Sequence, residues 1–240
     1  MKTVFITGAN KGIGFETAKQ LAQSGYFVYL GSRDKAKGTE AVNKLKDAGL
    51  SNIETIEIDV TNINSIKQAK QDLENKIDTL DILINNAGIS GEQPQNISTG
   101  EMENLRKVFE TNFFGAVQTT QQFIDLLKKS NKPVIVNVSS ELGSLALHNN
   151  TRNPNYEIYD AYSCSKAALN AFTVVLANEF RNTKFKINSV TPGYTATDLN
   201  QHKGIQTVEQ GAKSIVKYAT LDDDGPTAGF FKEKEIPWEG

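Results

Sequence analysis

Lys2-Thr3-Val4-Phe5-Ile6-Thr7-Gly8-Ala9-Asn10-Lys11-Gly12-Ile13-Gly14 is the stretch that decides how the remaining sequence is read. Residues 2 to 7 read as a buried strand from their apolar and β-branched run, and the polar and apolar residues from 15 to 24 recur with helical spacing. Between the two, Gly8, Gly12 and Gly14 remove side chains where a backbone must turn sharply and approach a ligand closely. A helix that starts at such a turn offers free N–H groups and the positive end of its dipole, which suits a pyrophosphate. Strand, glycine turn and helix in this order predict a dinucleotide site whose candidates are Gly8, Asn10, Lys11, Gly12, Ile13 and Gly14.

Working outward, short apolar runs at 27 to 31, 53 to 60, 80 to 85, 133 to 138 and 185 to 191 read as further strands. The stretches 35 to 48, 62 to 77, 102 to 128 and 161 to 180 read as amphipathic helices. Repeated strand–helix–strand units need right-handed crossovers and a mostly parallel sheet with helices on both faces. The prediction is a single α/β domain over residues 1–240, of the doubly wound Rossmann type. Two stretches break the rhythm. Residues 143 to 160, with Asn149, Asn150, Asn153, Pro154 and Asn155, have the composition of a loop, and 194 to 206 are also irregular. The acidic run Asp222 to Asp224 reads as a solvated turn before Gly225 and Pro226.

Composition narrows the function. Hydrophobic residues make up 38% and charged residues 22%, with a formal net charge of -2, which argues against disorder and against a nucleic-acid partner. No apolar run approaches the roughly 18 residues needed to cross a bilayer. A single cysteine, Cys164, cannot form an internal disulfide, and no basic region with an apolar signal core precedes the first strand. A cytoplasmic protein is expected. His148 and His202 lack the spacing of a metal site, so no metal is expected. Cys164 is expected to serve as small helix packing.

Asn85-Asn86-Ala87-Gly88, Asn112, Ser140, Tyr162-Ser163-Cys164-Ser165-Lys166 and Pro192-Gly193 follow the glycine stretch in order. The spacing Gly-x-x-x-Gly-x-Gly together with these motifs, over nearly the whole chain, resembles the short-chain dehydrogenase/reductase family. Asn10 to Gly14, Thr111-Asn112-Phe113-Phe114-Gly115 and Gly225-Pro226-Thr227-Ala228-Gly229 look specifically like its carbonyl reductase branch. The resemblance implies catalytic roles for Asn112, Ser140, Tyr162 and Lys166. It implies that Asp59 and Val60 bind adenine, and that Asn86, Ala87 and Gly88 border the cofactor groove. Lys166 would also hold the nicotinamide ribose beside Tyr162. Pro192, Gly193, Thr195 and Thr197 would hold the carboxamide.

Charge bears on the choice of cofactor. NAD sites carry a carboxylate near the end of the second strand, whereas the 2′-phosphate of NADP needs a cation there. The sequence has Ser32 and Arg33 at that place. Arginine's planar fork suits a phosphate, and Lys11 could supply a second positive charge, so NADPH is expected. Asp34 reads as a helix N-cap rather than as the NAD acid.

Hydride transfer to a carbonyl creates alkoxide character, so the site needs a proton donor and a polarising hydrogen bond. Tyr162 and Lys166, four residues apart, share one helix face. Bringing a tyrosine from about 10 to roughly 7 takes about 4 kcal/mol. One cation about 4 Å away at an effective dielectric near 20 supplies a similar amount. Ser140 lies just beyond the carboxyl end of the strand Val134 to Val138, where open α/β sheets place ligands, and Ser139 competes with it. By resemblance Ser140 is the catalytic serine, and Asn112 organises a water relay to the lysine.

Ser140 and Tyr162 are farther apart than in most members of the family, which implies an insertion around Leu147 to Tyr156. That insertion leaves the oligomeric state open. Tyr156, Tyr194 and Trp238 could line an apolar pocket or pack ordinarily. The functional expectation is NADPH-dependent reduction of a small aldehyde, ketone or quinone. The alternatives are an alcohol dehydrogenase working oxidatively and a cofactor-binding redox sensor with little turnover.

Overall fold

β1 (Thr3–Ile6) is flanked by β2 (Phe27–Ser32) on one side and β4 (Ile82–Asn85) on the other, and this split organises the whole sheet. β3 (Ile53–Glu57) extends the β2 side, while β5 (Val134–Val138), β6 (Lys186–Val190) and β7 (Phe230–Phe231) extend the other. The order is β3-β2-β1-β4-β5-β6-β7, and every pairing is parallel. The topological switch falls between β1 and β4, where the carboxyl ends of the strands open a crevice. The computed structural model describes residues 1–149 and 159–238.

The two sheet faces are covered as the alternating side-chain directions require. α1 (Gly12–Gln23), α2 (Lys35–Asp47) and α8 (Val208–Ala219) pack on Val4, Ile6, Val28 and Val136. α3 (Ile63–Glu74), α5 (Gly115–Leu127) and α7 (Asp160–Glu179) pack on Phe5, Leu83, Ile135 and Ile187. Phe5 stacks on Phe123 with ring centres 4.9 Å apart. None of the helices among the described residues is long and apolar enough to cross a membrane.

Several boundaries differ from those expected. The stretch 102 to 128 is two helices, α4 (Met102–Phe109) and α5, joined by a π-helical turn over Glu110–Phe114. Asn112 lies in that turn and is clamped to Ile89: its side chain accepts from the Ile89 N–H at 2.8 Å and donates to the Ile89 carbonyl at 2.9 Å. Such single π turns inside helices recur at functional sites. The strand expected to run to residue 60 ends at Glu57; the Ile58 N–H still donates to the Ser32 carbonyl at 2.9 Å, and the Asp59 N–H turns away to the Ser65 hydroxyl. Two elements not expected from the sequence, α8 and the two-residue β7, complete the fold beyond β6. Within the irregular stretch, Leu145–His148 form a short helix, α6, capped by Ser144, rather than loop. Tyr156 and most of the expected insertion lie outside the described residues.

Candidate active site

The glycine turn is built by two close approaches. Gly8 has φ +62°, and a Cβ there would stand 2.8 Å from the Ala87 Cα. A Cβ on Gly14 would run into the Asn86 side-chain amide and stand 2.8 Å from the Gly8 carbonyl. Asn86 occupies that space, donating from its amide to the carbonyls of Thr7 and Gly8 at 2.9 Å each. The Thr7 hydroxyl in turn accepts from the Asn86 and Ala87 N–H groups. Asn86 therefore braces the turn from the end of β4, and α1 points its N-terminus into the crevice.

A cleft of about 780 Å³ runs from this turn across the carboxyl ends of the strands. Every residue expected to hold the cofactor lines it, and so do Ser140, Tyr162 and Lys166. Asn112 is 1% exposed and sits beneath, its amide also donating to the Ser165 hydroxyl at 3.0 Å. Ser139 lines the cleft too, but its hydroxyl is buried without a hydrogen-bond partner among the described residues. The serines are told apart by their surroundings: the Ser140 hydroxyl accepts from the Leu142 N–H at 3.2 Å and acts on the Tyr162 phenol, drawing its pKa down.

Burial pushes Tyr162 up to about 12, and the Ser140 hydroxyl pulls the other way. Burial also draws Lys166 down to about 8. Its ammonium donates to the Val138 carbonyl at 2.7 Å and stands 5.6 Å from the Tyr162 ring centre. The expected pull of this cation toward roughly 7, to which oxidised nicotinamide would add a second positive charge, is opposed by burial in the cofactor-free protein. The lysine is tied to the strand end, and desolvation of the phenol outweighs the influence of Ser140. At neutral pH Tyr162 keeps its proton, the form a proton donor needs.

The rim residues divide by what already holds them. Asp34 caps α2 by accepting from the Lys37 N–H at 3.0 Å, as expected. Arg33 is exposed and forms no ion pair among the described residues. Lys11 is engaged by Asp198, at 2.7 Å, and Asp198 also holds His202 at 2.9 Å. Asp59 accepts from the Thr61 N–H and hydroxyl through Oδ1. Thr195 is 3% exposed and turns its hydroxyl inward to the Pro192 carbonyl at 3.1 Å.

Cys164 is exposed rather than packed, because Tyr162 and Lys166 take the inner face of α7 and residue 164 points the opposite way. Tyr194 lines the cleft, whereas Trp238 stacks on Phe230 and donates to the Ala228 carbonyl. Gln95, which no sequence motif singles out, is 2% exposed and fastens the first turns of α7. It accepts from the Tyr162 N–H at 3.2 Å and donates to the Ser90 carbonyl at 2.6 Å.

A family model described as short chain dehydrogenase matches residues 2–207. The (+)-neomenthol dehydrogenase of Capsicum annuum is 36% identical, the match covering 96% of this chain and 95% of the relative. The solved structure of salutaridine reductase from Papaver somniferum superposes with a TM-score of 0.85 at 32% identity, covering 97% of this chain and 100% of that one. NADPH-bound carbonyl reductase from chicken fatty liver superposes with a TM-score of 0.86 at 26% identity, covering 99% of each chain. The chain belongs to the short-chain dehydrogenase family of oxidoreductases.

Proposed function

We propose that the protein reduces a neutral, largely apolar aldehyde or ketone to the alcohol with NADPH. The observation that carries this reading is the convergence of Tyr162, Ser140 and Lys166 in the cleft that the glycine turn also lines. The residues present fit a dinucleotide: Gly8 and Gly14 leave a cradle that a Cβ would fill, at the N-terminus of α1. Arg33 stands at the end of β2 with its guanidinium uncommitted among the described residues, and Asp34 is tied down as a cap, an arrangement that favours a 2′-phosphate over a free ribose diol. The NADPH-bound carbonyl reductase supports the same choice.

When bound, the cofactor supplies the hydride that reaches the carbonyl carbon. Ser140 donates a hydrogen bond to the carbonyl oxygen, and Tyr162 gives its proton to that oxygen as it gains alkoxide character. Lys166 places a buried positive charge behind the phenol and stabilises the phenolate left after transfer. Asn112 fixes the Ile89 segment and the π turn on which this arrangement rests. Leu142, Tyr159, Tyr194 and Leu199 also line the cleft and favour an apolar substrate body. The relatives named for neomenthol and salutaridine support a small-molecule substrate of that kind.

The test follows NADPH oxidation with a panel of apolar ketones and aldehydes, for the native protein and for Tyr162→Phe. Turnover by the native protein is expected to fall about 10²-fold or more in the variant while NADPH still binds. Equal turnover in both, or binding without turnover on any compound, overturns the reading.

A further inference from the structure

Ser140 and the Pro192–Gly193 segment come from the ends of two different strands, yet hydride and proton must reach one carbonyl group together. The β5–β6 pairing holds the two strand ends, the Ser139 N–H donating to the Val190 carbonyl at 2.8 Å, and a second link joins the segments beyond them from outside the cleft. The Thr191 N–H donates to the Phe231 carbonyl at 2.8 Å, so β7 places its next residue, Lys232, beside the segment that follows β6. Gly193 has φ +72°, and a Cβ there would stand 2.7 Å from Lys232 Cε and 3.1 Å from its Nζ. The lysine stem therefore lies across the bare backbone of Gly193. Its ammonium then donates to Glu141 Oε1 at 3.2 Å, with both side chains about one-third exposed. Glu141 opens the short helical turn whose Leu142 N–H is capped by the Ser140 hydroxyl at 3.2 Å. Neither Lys232 nor Glu141 lines the cleft itself.

We propose that Lys232 and Glu141 are a positioning pair. The pair braces the Ser140 turn against the Pro192–Gly193 segment and so sets the polarising hydroxyl against the cofactor-holding backbone. The inference rests on the reductase reading above. An ordinary pair of this exposure contributes about 0–1 kcal/mol to stability and nothing to rate. A brace acts differently, because misplacement of reacting groups by about 1 Å lowers rate by up to about 10²-fold. Lysine suits this role because its slender stem can cross a backbone that has no Cβ, and its charge reaches the carboxylate beyond.

The test compares Lys232→Met, which keeps an apolar stem, with Glu141→Gln, the double variant and Lys232→Arg. Each single loss is expected to lower kcat about tenfold with NADPH affinity changed less than about twofold. The double variant is expected to be no worse than either single one, and Lys232→Arg to keep most of the rate. In the cofactor-free protein, amide exchange over residues 141–143 is expected to quicken in Lys232→Met. Unchanged kcat in Lys232→Met, or losses that multiply in the double variant, overturns the pair while leaving the reductase reading intact. A native protein without turnover overturns both.

Discussion

The Lys166 ammonium is fastened by a 2.7 Å hydrogen bond to the backbone oxygen of Val138, two residues before Ser140, which lines the cleft with Tyr162. The end of β5 therefore positions both partners of the tyrosine, one through its backbone and one through the turn that follows. Burial leaves the two ionisable groups on the alkaline side at separate values, Lys166 near 8 and Tyr162 near 12. Below a pH of about 8 both carry their protons. As the pH rises, Lys166 loses its proton first, and the phenolate formed on proton transfer loses its supporting charge. The rate of reduction is therefore expected to be level below pH of about 8 and to fall above it, by up to about tenfold per unit. A profile of kcat against pH at saturating NADPH checks this, and a rate still level at pH of about 10 contradicts it.

Much of this arrangement is legible from spacing. Tyr162 and Lys166 share a helix face because of a four-residue interval, and the glycine turn declares itself between a strand and a helix. What escapes the sequence depends on register and on burial. Nothing local in Phe230-Phe231 distinguishes a two-residue strand from buried loop; β6 beside it makes the strand. Continuous helical spacing over 102 to 128 hides the π turn, in which Asn112 bonds a loop 23 residues away. The upward pull of burial on Tyr162 is hidden for a similar reason, since desolvation is set by surroundings the sequence does not display. The place of Lys11 in the turn offers it as a second positive charge for a phosphate, but its partner Asp198 lies 187 residues on, where no local pattern could reveal it.

Arg33 and Asp198 make opposite predictions for cofactor choice. Arg33 has no ion-pair partner among the described residues, so Arg33→Ala is expected to weaken NADPH binding by about ten- to a hundredfold, the worth of charge-assisted hydrogen bonds, with NADH nearly unaffected. Asp198 competes for Lys11, so Asp198→Asn is expected to tighten NADPH binding by no more than about fivefold, the range of an exposed pair. Fluorescence titration with both nucleotides reads the two shifts. Parallel losses for NADPH and NADH in Arg33→Ala count against a phosphate site there.

Gly14→Ala tests the cradle itself. The added methyl meets the Asn86 amide and the Gly8 carbonyl, so the bonds from Asn86 to Thr7 and Gly8 cannot all survive. Overpacking of this kind costs about 1–3 kcal/mol. If that strain falls on the turn, NADPH affinity drops by about tenfold or more while the helical circular dichroism is kept. Native affinity in this variant indicates that the turn is not where the pyrophosphate sits.

Behind the cleft a buried polar ladder crosses three strands. Asn85 donates to Thr120 at 2.9 Å and to Asn137 at 2.8 Å, Asn137 donates to Thr173 at 2.9 Å, and Thr173 bonds Ser189 at 2.8 Å. Asn85, Asn137 and Ser189 are register partners on β4, β5 and β6, so the ladder fixes strand pairing while it docks α5 and α7. Asn137 is 0% exposed and takes part at both its oxygen and its nitrogen. Asn137→Ala removes two buried bonds and takes a partner from both Asn85 and Thr173, at about 2–4 kcal/mol in total. For a chain of this size that corresponds to a Tm lower by about 4–15 °C. Because no atom of Asn137 lines the cleft, kcat well below the new Tm is expected to change by less than about threefold. A thermal melt and a rate measurement on the same preparation separate the two effects. A large loss of rate with unchanged Tm contradicts the ladder's structural role and places Asn137 in the chemistry instead.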